Sequence, residues 1–159
     1  MMKKVLVAIM ILVCCMSLFA CTDNTADNTV KKNISLAQIK DRIIDECAIE
    51  DAMDLDAYML LNLYGIEEAD VAESACFSTL GAVFPDEIIM IKAKDKDALN
   101  RISEKLENRL DAVLAQSKNY DAENYEIAQK CKLITKDEYI ALFISPKHEQ
   151  MQEIYLGEL

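Results

Sequence analysis

Carboxylates, one serine–histidine pair and six tyrosines are the side chains through which this 159-residue chain could do chemistry outside its first segment. Asp86 and Glu87 stand before a buried strand, where one carboxylate could cap a turn or bind a partner's amine. Asp51, Asp54 and Asp56 invite a calcium reading, but the Gly and the distal Glu of an EF-hand loop are missing. Glu67, Glu68 and Asp70 follow Gly65 in what reads as a loop. For each of these groups a solvated or capping acid is the simpler role. Ser145 stands three residues before His148, yet no Gly-x-Ser-x-Gly elbow surrounds it, and the lone histidine reads as a surface residue of a C-terminal helix. The three glycines are isolated, which removes a phosphate-cradling loop. No catalytic residue, no metal ligand set and no cofactor is therefore assigned. Tyrosine offers apolar area with a polar tip, which suits binding surfaces. Tyr64, Asp86 and Glu87 are the candidate binding residues, because they flank the glycine-containing entry to a central hairpin.

A different chemistry sits at Leu18-Phe19-Ala20-Cys21. Lys3 and Lys4 form a positive start, and Val5 to Ala20 is sixteen residues without a charge. That run is short for a membrane span, which needs about 20 apolar residues. It fits a signal peptide ending in a small residue, residues 1–20. The box resembles the lipoprotein consensus: an aliphatic residue three before the cysteine, then a small residue directly before it. Phe19 is bulkier than the usual occupant. The resemblance implies diacylglyceryl (palmitate-type) modification of Cys21, because a thiolate is the nucleophile able to take the lipid near neutral pH. Two acyl chains would anchor the protein stably where one barely does. An uncleaved N-terminal anchor and a plain secretory signal are the alternatives.

Removing residues 1–20 takes away only Lys3 and Lys4 among charged residues, so the formal charge moves from −11 to −13. Such an acidic surface argues against nucleic acid and against direct adhesion to anionic lipid, both of which reward clustered Lys and Arg. Of six cysteines, Cys14 and Cys15 lie in the signal and Cys21 is the lipid site. Cys47, Cys76 and Cys131 remain, an odd and widely spaced set that reads as buried apolar residues, with one pairing left open.

The elements that must position the candidates follow from periodicity. Residues 22–33 are polar and read as a tether, giving residues 21–33 as lipidated cysteine plus linker and 34–159 as a single domain. Ser35 is a plausible N-cap for a helix with Leu36, Ile39, Ile43, Ile44 and Cys47 at helical spacing. Leu55 to Tyr64 reads as a second helix stopping at Gly65. Val71 to Phe84 is expected to form one strand, and Ile88-Ile89-Met90-Ile91 the core of the next. Asp95 or Asp97 caps a long helix whose apolar stripe is Leu99, Ile102, Leu106, Leu110, Val113 and Leu114. Arg101, Glu104, Lys105, Glu107, Asn108, Arg109 and Asp111 are assigned to its solvent side. Asp121 caps a further helix to about Lys130. Lys132 to Thr135 and Tyr139 to Ser145 are strands, and Pro146 begins a last helix carrying Met151, Ile154 and Tyr155.

The order α-α-β-β-α-α-β-β-α predicts an α+β fold: an antiparallel sheet of about four strands with helices packed mainly on one face. The wording of the C-terminal half adds to this. Gly81-Ala82 precedes Asp86-Glu87-Ile88, a strand end bearing lysine and aspartate leads into a long helix, and a tyrosine-acidic helix runs from Tyr120 to Tyr125. A strand written Tyr139-Ile140-Ala141-Leu142-Phe143-Ile144-Ser145 closes the set. Over roughly residues 60–156 this resembles a domain-of-unknown-function family of Gram-positive bacterial lipoproteins. The resemblance implies location and an α+β fold and carries no activity. Family members often have Gly just before the strand matched by Tyr139, where this chain has Asp137-Glu138.

The expected function is a lipid-anchored binding or interaction module at the extracytoplasmic face of the cell membrane. Its partners would be the membrane, through the N-terminal lipid, and a protein or cell-wall ligand, with no nucleic acid. The runner-up is an extracytoplasmic hydrolase using a carboxylate pair on cell-wall material, which needs two acids facing one cleft. A calcium-dependent structural module is the third reading.

Overall fold

Apolar side chains set at two different periods build this fold, a period of two in its strands and of 3.6 in its helices. The computed structural model describes residues 35–80 and 84–159. The proposed signal, Cys21, the tether and Gly81-Ala82 lie outside them. Helix α1 (Leu36–Glu46) starts where Ser35 accepts from the Gln38 N–H, and the Glu73 carboxylate accepts the Leu36 N–H at 2.8 Å. Strand β1 (Ala52–Asp54) follows, then a single α-turn, α2 (Ala57–Met59), running directly into a π-helical segment, Leu60–Tyr64. Gly65 ends it at φ 68°, a left-handed conformation that glycine adopts without strain.

A 3₁₀ turn (Glu68–Asp70) leads into β2 (Val71–Ser74) and β3 (Phe77–Thr79). The expected single strand 71–84 is thus two short ones, both paired to the same edge of β4 (Glu87–Ala93). The long helix α3 (Lys96–Tyr120) is capped by Asp95, whose carboxylate accepts the Ala98 N–H at 2.8 Å. Asp121 caps α4 (Ala122–Ala128), then β5 (Leu133–Lys136) and β6 (Tyr139–Ile144) form a hairpin. The last helix, α5 (His148–Glu158), begins two residues after Pro146.

The sheet is antiparallel in every pairing, ordered β1-β3-β4-β6-β5 with β2 also on β4, so it has six strands and not about four. The expectation of helices mainly on one face is also corrected. Ile89, Ile91, Ile140, Leu142 and Ile144 pack with Ile102, Leu106 and Val113 of α3. Ile88, Met90, Ala141 and Phe143 point the other way, onto Leu36, Ile39 and Ile43 of α1 and Met151, Ile154 and Tyr155 of α5. Central strands β4 and β6 are therefore covered on both faces, and the apolar runs Ile88–Ile91 and Tyr139–Ile144 are the result. Each fully buried Ile, Leu or Phe contributes about 1.5–3 kcal/mol, so the two layers hold one another through the shared strands.

Candidate functional site

Glu87 is the buried carboxylate of the sheet, 5 % exposed at the first position of β4. A charge there needs partners, because burying an unpaired carboxylate is very costly. Arg109 from α3 supplies them: its Nε donates to Oε2 at 2.9 Å and its Nη2 donates to Oε1. Tyr64, at the end of the π-helical segment, donates its hydroxyl to Oε2 at 3.1 Å. The Arg109 guanidinium lies 5.8 Å from the centre of the Tyr64 ring, within cation–π range.

Each side chain arrives through its own local rule. Strand alternation turns Glu87 toward the α3 face, alongside Ile89 and Ile91. The π-turn widens the helix by one residue before Gly65, which brings Tyr64 under the guanidinium. Arg109 sits three residues after buried Leu106 and four before buried Val113, a position that faces the sheet. The Tyr64 hydroxyl is held protonated, its pKa raised first by burial and then by the Glu87 charge. Hydrogen bonding to Glu87 raises the Arg109 pKa further, against the opposing effect of desolvation. The three groups form a fixed, charge-compensated unit.

A cleft of about 240 Å³ opens beside this unit, with Glu87 and Arg109 in its wall. Phe84, Gln116, Tyr120, Asp121 and Asn124 also line it, the last four from where α3 ends and α4 begins. One third of the Arg109 side chain remains exposed. Tyr120 is 87 % exposed.

The structure brings Tyr64 and Glu87 together but places Asp86 apart from them. Asp86 precedes the strand, its backbone is tied to Thr79, and its charge acts on Cys47. Arg109 was the missing member, assigned from sequence to the solvent side of its helix. The sequence held no clear signal for it, because Leu110 already fills that turn of the apolar stripe and itself packs on the core.

His148, expected at the surface, is instead 6 % exposed, because the first turn of α5 lies against the sheet layer. Cys47, Cys76 and Cys131 are free and buried. Two of the Asp51, Asp54 and Asp56 acids are committed elsewhere: Asp54 pairs with Lys40 and Asp56 caps α2. Asp70 makes a two-bonded pair with Arg101, which lowers the Asp70 pKa chiefly through hydrogen bonding. Among the described residues no group of three or more His, Cys, Asp or Glu could hold a metal ion, and no helix is long and apolar enough to cross a membrane.

Comparison with known proteins gives one family. The model of a family described as Domain of unknown function (DUF4358) matches residues 45–145, which include Tyr64, Glu87, Arg109 and the cleft. No curated protein and no solved structure matches the chain.

Proposed function

We propose, for a chain that belongs to the DUF4358 family, a lipid-anchored binding module on the extracytoplasmic face of the cell membrane. Acylation of Cys21 would hold it there, residues 22–33 would act as the tether, and the cleft beside Glu87 and Arg109 would face a protein or cell-wall ligand. The anchor rests on the sequence: the lysine pair, the uncharged run and Ala20-Cys21. The binding role rests on one observation, a guanidinium already oriented in a cleft wall by a buried carboxylate and a tyrosine ring. A side chain ordered before the ligand arrives loses little entropy when it binds, which favours recognition.

A hydrolase using paired carboxylates on cell-wall material has less behind it. Both oxygens of Glu87 already accept hydrogen bonds, and the Asp86 charge acts on Cys47 of the opposite layer instead of on this unit.

The anchor is tested by fractionating cells that express the protein or its Cys21→Ala variant after feeding a labelled fatty acid. The expected result is label and membrane retention for the first and loss of both for the second. A variant that still fractionates with membranes at mature size would overturn the lipidation. The binding role is tested by titrating the full chain, in phosphatidylcholine nanodiscs, with cell-wall fragments and peptides. Saturable binding that is lost in Gln116→Ala or Tyr120→Ala supports it, and binding to none of the panel ends it.

A further inference from the structure

Taking the cleft as the binding site, we infer that its ligand is a neutral, amide-bearing saccharide whose ring stacks on Tyr120 while Arg109, Gln116 and Asn124 bind its hydroxyl and acetamido groups. Four observations select this chemistry. The first is charge. Glu87 compensates Arg109 and the chain carries −11 overall, so the guanidinium offers N–H donors without an attractive field for anions. Nη1 and one hydrogen of Nη2 are not used by Glu87, and they suit uncharged oxygen acceptors such as a sugar hydroxyl or an amide carbonyl.

The second is the exposed aromatic. Tyr120 ends α3 at the cleft and is 87 % exposed, and a flat apolar face with a polar tip matches the C–H face of a pyranose. The third is the set of planar polar groups. The Gln116 amide is exposed and makes no hydrogen bond among the described residues, while Asn124 gives its Nδ2 to Asp121 at 2.6 Å and keeps its carbonyl oxygen as an acceptor. Paired donors and acceptors in a plane fit vicinal hydroxyls.

The fourth weighs against an extended peptide. At Glu87 the strand is already paired on both sides, to Ser78 and to Ile144, so the cleft offers no open sheet edge for strand addition. Its volume, about 240 Å³, holds one ring at a time and not a long chain.

Calorimetric titration of the full chain in phosphatidylcholine nanodiscs, which contain no sugar, provides the test. The probes are the trimer of N-acetylglucosamine and, separately, a neutral peptide of similar size. The expected result is saturable binding of the trimer, weakened about tenfold by Tyr120→Ala and by Gln116→Ala, with unchanged circular dichroism. Both residues are exposed, so these variants keep the fold. Absence of trimer binding, or affinities unchanged in both variants, overturns the saccharide inference. If the peptide alone binds and depends on the same residues, the saccharide is wrong and the binding module stands. If neither probe binds, this inference falls, and the cell-wall fragments and peptides named above decide the module separately.

Discussion

Glu87 at the start of β4 and Arg109 in the middle of α3 are tied by two hydrogen bonds across 22 residues of sequence, fastening the long helix to the sheet. The carboxylate is 7 % exposed and the guanidinium 33 %, so the carboxylate depends on its partner more than the reverse. Arg109→Ala leaves a buried charge without its main donor and is expected to cost about 3 kcal/mol. Glu87→Leu together with Arg109→Met removes both charges and is expected to recover most of that loss. Urea unfolding of the wild type, the single variants and the double variant measures the coupling. Equal, additive costs would mean that the pair contributes no specific interaction.

The elements were legible where one period dominated. Leu36, Ile39 and Ile43 marked α1, and Ile88 to Ile91 marked β4, because burial repeats at fixed spacing there. Strands of three or four residues such as β1 and β2 alternate too briefly to be read, and each exists only through its neighbour in the sheet. Coverage on both faces was written in β6, buried at all six positions, but an all-apolar run does not say which helices cover it. Tyr64 and Glu87 were singled out together by their place beside the hairpin entry, and the structure joins them by a hydrogen bond. Arg109 was not, because a charged residue within a buried stripe reads as surface until its partner is known.

Tyr155 is fully buried against Phe143, with ring centres 5.6 Å apart, and its hydroxyl has no hydrogen-bond partner among the described residues. Tyr155→Phe removes a desolvated hydroxyl without breaking a bond, and is expected to stabilise by about 1 kcal/mol at pH 7. The pH dependence has a definite sign. Burial, and then Tyr139, raise the folded pKa of Tyr155, so its contribution is complete below the unfolded value of about 10 and is lost as pH rises above it. The variant should therefore lose less stability than wild type between neutral and strongly alkaline pH. Tyr64→Phe should differ by destabilising already at pH 7, since its hydroxyl serves Glu87. Melting curves across pH distinguish the two.

The three cysteines of the folded domain are expected to resist modification. Cys47, Cys76 and Cys131 are each at most 4 % exposed, and burial raises all three thiol pKa values, with Cys76 pushed up to about 12. A neutral thiol reagent at pH 8 should label them only as fast as the domain opens, and denaturant should release all three together. Mass mapping of labelled peptides checks this. Immediate labelling of Cys76 in the native protein would contradict its place in the core.

Asp137 occupies the first position of the two-residue turn between Lys136 and Tyr139, with φ at 53°. A left-handed conformation costs an L-residue about 1–2 kcal/mol, less for aspartate than for branched side chains. The turn cannot relax to avoid it, because the Ala93 N–H donates to the carbonyl of Glu138 at 2.8 Å and pins the hairpin end to β4. Asp137→Gly removes the steric cost but loosens the unfolded chain, so a net gain of about 0.5 kcal/mol is expected. Asp137→Val, branched at Cβ, should lose at least about 1 kcal/mol at the same site. Both appear as shifts of the urea midpoint at unchanged slope. If valine were tolerated as well as glycine, the positive φ would not be a feature of the folded hairpin.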